Sequence, residues 1–224
     1  MKIINTYSFK DGEDFIRERH QQELEEVLSA IESLDATACL TKESSEKTMK
    51  GKLLFSPPDM NDHMKQYLHK YGWTKSAAGN KKKSYAEPRH NFGDARFREM
   101  DGIKNKVGLE IQFGKYAFMG YDIFSKMIIF KNLGYIECGI EVVAVSELVG
   151  EMSTGVSSFD QLLIDFKYRG ESNIDIPVFV LGIGLSKEEW EQARNLQYLF
   201  KTNKAEAVKI IKLRGYNGSL PGPK

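Results

Sequence analysis

The stretch that decides the fold runs Asp101-Gly-Ile-Lys-Asn-Lys-Val-Gly-Leu-Glu110-Ile-Gln112-Phe-Gly-Lys115. From position 107 onward, apolar side chains alternate with polar ones or glycine, the apolar set being Val107, Leu109, Ile111 and Phe113. This period of two predicts a strand with one apolar face. Residues two apart in a strand point to the same face, so Glu110 and Gln112 are expected side by side. A carboxylate on that face costs free energy unless a polar or charged group meets it.

The segments that follow this strand predict an α/β domain. Apolar residues at helical spacing predict a helix over 121–131, and apolar runs predict strands over 135–145 and 176–184. A further helix is expected over 187–201. Strands and helices in this order are typical of a mixed, partly parallel central sheet flanked by helices. The helix over 121–131 has more apolar circumference than one sheet covers, so it is either deeply buried or a dimer helix.

The first hundred residues are less regular. The spacing of apolar residues predicts a helix over 14–33, and Ser56-Pro57-Pro58 predicts a stop. A second helix, capped by Asp59 or Asn61, is expected to run to about Tyr71. Residues 76–98 show no clean period, which indicates a long loop or a small subdomain. No repeat or linker divides the chain, so we expect a single domain over 1–224 with a variable part at about 76–100.

Composition and charge exclude several classes of protein. The formal net charge is +1, and no apolar run approaches the roughly 18 residues of a membrane span. The first residues lack the features of a signal peptide, and two distant cysteines cannot form a disulfide framework. We therefore expect a cytoplasmic protein without a membrane partner. Between Lys75 and Lys106, nine basic residues accompany four acidic ones, which indicates either a surface that faces a polyanion or a solvated loop.

The candidate chemistry comes from two carboxylates. Asp101 lies nine residues before Glu110, and a turn between them would bring both carboxylates together at the end of the sheet. With the main-chain carbonyl of Ile111 they would form a site of hard oxygen ligands, which Mg²⁺ prefers. The pattern alone is weak, because the polar face of an edge strand can simply meet solvent.

The surrounding sequence adds a family resemblance. Asp-x(8)-Glu-x-Gln is a variant of the PD-(D/E)xK nuclease signature in which Gln112 replaces the usual lysine. The stretch from Asp101 to Phe118 closely resembles the active-site stretch of the BglII/BstYI group of restriction endonucleases, with BstYI as the closer match. Further similar blocks lie at 38–57, 72–73 and 151–155. The resemblance covers about residues 24–185, whereas 76–100 and the chain beyond about 185 match poorly.

This resemblance implies a homodimeric type II restriction endonuclease. Such an enzyme hydrolyses phosphodiester bonds in both strands of a short palindromic site in double-stranded DNA, with Mg²⁺ as its cofactor. The resemblance also suggests a GATC core and 5′ overhangs. Asp101, Glu110 and the carbonyl of Ile111 would hold Mg²⁺. Gln112 would orient the attacking water, because an amide does not take up a proton at neutral pH.

Polar side chains around this site are candidates for DNA contacts. A lysine just past the strand would contact a phosphate or a base, a Gly-containing loop over 152–158 would reach base edges, and the polar stretch from 41 to 52 would contact the DNA backbone. The candidates are Lys115; Ser153, Thr154 and Ser157; and Thr41, Lys42, Lys47, Lys50 and Lys52. A solvated lysine and a plain polar loop are the alternatives. Ser76 occupies the place, three residues after Trp73, where related enzymes bring a polar or acidic residue to the metal.

Two other functions remain open from the sequence. One is a repair or nicking nuclease of the same fold, which would act as a monomer on one strand. The other is a catalytically silent domain that binds DNA or protein, in which replacing Asp101 or Glu110 would alter affinity alone. The presence of both carboxylates at the spacing of the related enzymes argues against the silent domain.

Overall fold

The secondary structure is known from a computed structural model, which describes residues 1–73, 88–94 and 96–213. The first half of the chain forms β1 (Lys2–Phe9), α1 (Gly12–Arg19), α2 (Gln21–Ser33), β2 (Leu40–Glu43), β3 (Leu53–Phe55), α3 (Pro57–His69), β4 (Arg89–Asn91) and β5 (Phe97–Glu99). The second half forms β6 (Gly102–Lys104), β7 (Val107–Gln112), α4 (Tyr116–Tyr121), α5 (Met127–Asn132), β8 (Cys138–Ala144), α6 (Ser146–Val149), α7 (Phe159–Arg169), β9 (Val178–Gly184), α8 (Lys187–Thr202) and α9 (Lys204–Leu213). Within the described residues, no helix has the length and apolar character needed to cross a membrane.

The central sheet has five strands in the order β1-β9-β8-β7-β6. β7, β8 and β9 run parallel to one another, whereas β1 and β6 are antiparallel to their neighbours. The predicted mixed sheet with flanking helices is therefore confirmed. Two smaller sheets pair β2 with β3 and β4 with β5. The second of these lies in the stretch for which we expected a long loop or a small subdomain.

The strand predicted from the alternating pattern is β7, but both of its faces are covered. Every residue from Val107 to Ile111 is buried. On the face that carries Glu110, a Cβ at Gly108 would lie 2.7 Å from Met100 and 2.9 Å from Ile136. The expectation of a single apolar face was therefore wrong, and Glu110 points into the interior of the protein.

The N-terminal predictions need two corrections. The single helix predicted over 14–33 is broken at His20, where φ is −137° and the ring Nε2 lies 2.8 Å from Glu137 Oε1. The stop predicted at Ser56-Pro57-Pro58 is found, since β3 ends at Phe55, but the same residues begin α3, with Ser56 at the N-cap. Proline suits the first helical position because the amide hydrogen it lacks would have no partner there. Asp59 and Asn61 are consequently inside the helix and do not cap it.

Two other elements differ from expectation. β1 was not predicted, because an edge strand with mostly polar or exposed residues has no apolar run to reveal it. The helix predicted over 121–131 begins earlier, at Tyr116, and a π-helical turn at Asp122–Lys126 joins α4 to α5. Its apolar residues Met127, Ile128 and Phe130 are buried within the subunit. The structure thus supports the buried helix of the two interpretations.

The start of α1 gives a test of this packing. We expect Gly12→Ala to lower the free energy of unfolding by about 2–3 kcal/mol, since overpacking a core costs of that order. The cause is that a Cβ at Gly12 would lie 2.3 Å from the main chain of Val178 in β9, which cannot move aside as a side chain can. Urea unfolding would measure the change.

Gly150→Ala is the matched control. A Cβ there would come no closer than 3.4 Å to the carbonyl of Glu147, and the residue already has helical φ and ψ. We expect a change within about 1 kcal/mol, the range of helix propensities. Equal losses for the two variants would contradict the packing of α1 on β9.

Candidate active site

Acidic residues lie side by side on three neighbouring strands of the central sheet. Asp101 directly precedes β6, Glu110 lies in β7 and Glu141 lies in β8. The register pairs Gly102 with Leu109, which places Asp101 across from Glu110, and pairs Glu110 directly with Glu141. Residues paired in this way share one face of a sheet. The predicted approach of Asp101 to Glu110 is therefore confirmed, whereas Glu141 was not predicted.

The approach depends on the turn between β6 and β7. Asn105 and Lys106 adopt left-handed conformations, with φ of 44° and 70°. Two consecutive residues with positive φ are characteristic of the tight hairpin turns whose twist matches that of the strands. The hairpin returns the chain so that Asp101 accepts a hydrogen bond of 2.7 Å from the main-chain N–H of Ile111.

Asp101 is fixed from two directions. Its Oδ2 accepts the Ile111 N–H, and its Oδ1 lies 2.5 Å from Nζ of Lys65 in α3. In a strand, the N–H and C=O of one residue point to the same side. The carbonyl of Ile111, our predicted third metal ligand, therefore points toward the side of β7 on which Asp101 lies.

Glu110 is almost completely buried and pairs with a lysine from the helical layer. Lys126 Nζ lies 2.8 Å from Glu110 Oε1 and 2.7 Å from Asp122 Oδ1. Burial and the neighbouring Asp101 carboxylate raise the pKa of Glu110 well above its ordinary value, while the Lys126 ammonium acts in the opposite direction. Asp122 and Lys126 are four residues apart at the two ends of the π-helical turn and lie on the same side of the helix.

Glu141 has no comparable compensation. It is 0% exposed, and neither of its carboxylate oxygens has a hydrogen-bond partner among the residues that the structure describes. Burial, followed by the charges of Asp122 and Glu110, raises its pKa well above the ordinary value. Among the main influences on Glu141, only the charge of Lys126 favours its ionised form.

Sequence reasoning missed Lys65, Asp122, Lys126 and Glu141. An acid and a lysine four residues apart in an otherwise apolar helix were a usable signal for Asp122 and Lys126, because charged residues are rarely buried unless they are paired. Glu141 stood within an apolar run, YIECGIEVVAV, that we interpreted only as a buried strand. For Lys65 the local sequence offered no signal.

The donor set fits a divalent cation with few protein ligands. Asp101 and Glu110 supply carboxylate oxygens, and Ile111 supplies a carbonyl directed to the same side. Within the described part of the chain, no three or more His, Cys, Asp or Glu side chains are grouped so as to hold a metal. A cation here would therefore take its remaining ligands from water and a phosphate, as Mg²⁺ commonly does. Lys65 and Lys126 pair with Asp101 and Glu110 and offset part of the negative charge of the row.

Gln112 and Lys115 lie at the carboxyl end of β7. Gln112 Nε2 donates a hydrogen bond of 3.3 Å to the carbonyl of Lys115, and the Gln112 side chain is half-buried on the same face as Glu110. Lys115 is exposed and forms a β-bridge with Val156. The end of β7 is thereby joined to the 152–158 loop, which the sequence had only suggested as a neighbour of the site.

The predicted DNA-contact residues fall into two groups by exposure. The 152–158 loop contacts the β2–β3 hairpin, since Lys42 donates to Ser153 Oγ and the N–H of Thr154 donates to Glu46 Oε2 over 3.1 Å. The exposed candidates are Lys47, Lys50, Lys115 and Thr154, and Lys42, Lys52 and Ser153 are partly exposed.

Other candidates are engaged inside the protein. Thr41 is buried and donates to Asp59, and Ser157 is fully buried beside the carbonyl of Gly114. As placed here, these two hydroxyls support the hairpin and the loop, while direct contact of either with DNA stays a prediction. Lys52 pairs with Glu151 over 2.8 Å. Ser76 lies outside the described residues.

A mixed central sheet with acidic residues side by side on adjacent strands is characteristic of nucleases with the restriction-endonuclease-like fold. This is the fold that the sequence predicted. The chain belongs to the family described as restriction endonuclease BglII/BglIII, whose model matches residues 4–183. It is therefore a site-specific deoxyribonuclease, and its family works with a divalent metal ion. The particular closeness to BstYI stays a prediction.

Solved structures agree on the fold. BglII in complex with a DNA 16-mer has a TM-score of 0.63 at 16% identity, covering 83% of this chain and 79% of that one. Free BglII has a TM-score of 0.57 at 17% identity, covering 83% and 81%. A search of curated proteins found no match.

The pH dependence of stability tests whether the Glu141 carboxylate lacks a partner. Because its folded-state pKa is raised above the ordinary 4.5, the folded protein binds more protons than the unfolded chain above that pH. The burial of Glu141 therefore lowers the free energy of unfolding little at pH 4.5. The loss grows as the pH rises, by up to about 1.4 kcal/mol per pH unit. We expect Glu141→Gln to be more stable than the wild type at pH 8, with the gain shrinking toward pH 5.

Urea unfolding in the presence of a metal chelator, at several pH values, would measure this difference. Glu137→Gln is the control, because that carboxylate is 45% exposed and pairs with His20. A Glu141→Gln variant with the same pH profile as the wild type would show that Glu141 has a partner.

Proposed function

We propose that this protein is a type II restriction endonuclease that uses Mg²⁺ to cleave both strands of a short palindromic DNA site. The observation that carries the proposal is the convergence of Asp101 and Glu110, with Asp101 held on the main-chain N–H of Ile111. Two carboxylates fixed in this way are already arranged for a cation before DNA arrives. Pre-arranged charge of this kind is a principal source of catalytic rate.

Asp101, Glu110 and the Ile111 carbonyl would hold the cation. When bound, Mg²⁺ supplies the positive charge that neutralises the scissile phosphate and makes water a better nucleophile at neutral pH. Gln112, which shares the face of Glu110, would orient the attacking water through its amide. It cannot remove a proton from that water, because an amide is not a base at neutral pH.

The DNA-contact surface is proposed to consist of the β2–β3 hairpin, the 152–158 loop and Lys115. The exposed Lys47, Lys50 and Lys115 would contact phosphates, and Thr154 would face the bases. The solved BglII complex with a DNA 16-mer supports DNA as the substrate. A GATC core and 5′ overhangs rest on the sequence resemblance around Asp101–Phe118.

A homodimer is proposed because a palindrome has two-fold symmetry, which two copies of one chain match. The supporting surface lies on α4 and α7. Phe118 and Ile164 are each 56% exposed and Tyr168 is 78% exposed. These two helices contact one another, so the exposed side chains can form one apolar patch for a second copy.

Cleavage of DNA tests the site. Replacing Asp101 by Asn or Glu110 by Gln should lower the cleavage rate on the order of a thousand-fold or more, because several kcal/mol of barrier stabilisation would be lost. The measurement is digestion of unmethylated phage DNA with and without Mg²⁺, followed by sequencing of the fragment ends. Discrete fragments that share one palindrome are expected from the wild type only when Mg²⁺ is present.

Glu137→Gln again serves as the control, because it removes a carboxylate that lies outside the acidic row, and it should cleave as the wild type does. DNA left intact by the wild type despite specific binding would refute the catalytic proposal. Fragments without a common sequence at their ends would refute the palindromic site.

The apolar patch tests the dimer. We expect Ile164→Asp to convert a dimer into a monomer and to turn double-strand cleavage into slow nicking, since a charge cannot be buried there without a partner. Sedimentation analysis and supercoiled-plasmid cleavage would measure the two effects. Leu213→Asp, at a site 76% exposed on α9, should change neither. A wild-type monomer that cuts both strands would contradict the proposal.

A further inference from the structure

The lysine that usually ends the nuclease signature is absent from the strand, where Gln112 stands in its place. Ammonium groups nevertheless reach both carboxylates of the proposed site. They come from the helices, Lys65 to Asp101 and Lys126 to Glu110. Lysines of the helices thus supply the positive charge that the strand lacks.

Lys126 makes the contact at the centre of the acidic row, to a carboxylate that is 4% exposed, whereas Lys65 contacts one that is 19% exposed. The Lys126 side chain is itself 13% exposed and bridges Glu110 to Asp122. Both Asp122 and Lys126 lie in the π-helical turn. π-helical turns are uncommon and are frequent at functional sites.

The surroundings of Lys126 are more acidic than one ammonium can balance. Glu110 and Asp122 pair with it directly, and Glu141 lies beside Glu110 with both carboxylate oxygens unpartnered among the described residues. Without the ammonium, the Glu110 side chain would lose its direct contact and lie next to three other carboxylates, so it would turn away from them. That movement would remove a ligand from the proposed cation site.

We infer that Lys126 is a positioning residue of the active site, whose contact holds the Glu110 carboxylate in place on the face of the sheet that Asp101 shares. The inference rests on the proposed role of Asp101 and Glu110 in binding a divalent cation. Lys126 contacts the ligand and not the cation, and residues in such positions orient ligands and tune their affinity. The main chain of the π-helical turn holds Lys126 in place, and Asp122 supports its ammonium.

The test is Mn²⁺ binding by the full-length, DNA-free protein, measured by calorimetry, together with cleavage of DNA. Lys126→Met should weaken Mn²⁺ binding by about 10–100-fold, the usual effect of losing a residue that supports a ligand. Cleavage should fall by at least as much. Lys126→Arg, which keeps the positive charge and hydrogen-bond donors, should recover most of both.

Two further variants separate positioning from charge balance and from folding. Lys126→Met combined with Asp122→Asn keeps the net charge of the cluster but not the contact to Glu110, so it should bind Mn²⁺ as poorly as Lys126→Met. Lys104→Met removes a similarly buried lysine that pairs with Glu26 over 2.6 Å, away from the site. It should lower the melting temperature and leave Mn²⁺ binding unchanged.

Wild-type or tighter Mn²⁺ binding by Lys126→Met would overturn the inference, and so would full recovery in the charge-balanced double variant. Failure of the wild type itself to bind Mn²⁺ or to cleave DNA would instead refute the proposed function. The two failures are therefore distinguishable. A loss in Lys126→Met that Lys126→Arg repairs would support the inference even if Lys126→Met melts at a lower temperature.

Discussion

Glu110 and Glu141 face one another across β7 and β8 in the interior of the protein. Two ionised carboxylates on adjacent strands repel each other, and burial leaves little solvent to screen them. Lysines on the surrounding helices offset the negative charge of the acidic residues. Lys126 reaches Glu110 from one helical segment, and Lys65 reaches Asp101 from another. Removing one partner from a buried ion pair is expensive, so the helices and the sheet depend on one another.

The same arrangement explains why stability and function oppose each other here. A row of buried acids lowers the stability of the folded chain, whereas apolar residues at Glu110 and Glu141 would raise it. The cation site proposed for Asp101 and Glu110 would need negative charge of this kind, because a divalent cation takes carboxylate oxygens as ligands. Active sites are common places for such costs, which the rest of the core offsets.

Local patterns predicted the local parts of this structure. The strand at β7 followed from its alternation, and α8 was expected over 187–201 and is found at Lys187–Thr202 because its capping residues and apolar spacing lie within one segment. The hairpin that brings Asp101 to Glu110 was predictable for the same reason. The break at His20 was not, since its ring contacts Glu137, 117 residues away. The roles of Lys126 and Glu141 likewise depend on residues of other elements, which no short stretch of the sequence contains.

The exposure of the acids indicates where a substrate enters. The Asp101 side chain is 19% exposed, that of Glu110 is 4% exposed, and Glu141 is fully buried. Among the described residues, the exposure of the row therefore decreases from Asp101 toward Glu141, which favours approach of a phosphate to the proposed site from the side of Asp101. In sheets with parallel strands, ligands bind beyond the carboxyl ends of the strands. β7 and β8 lead at that end to Lys115 and to the 152–158 loop, which meet at the bridge between Lys115 and Val156. The strand order of the sheet thus places Lys115 and the 152–158 loop beyond the end of β7 that carries Glu110 and Gln112.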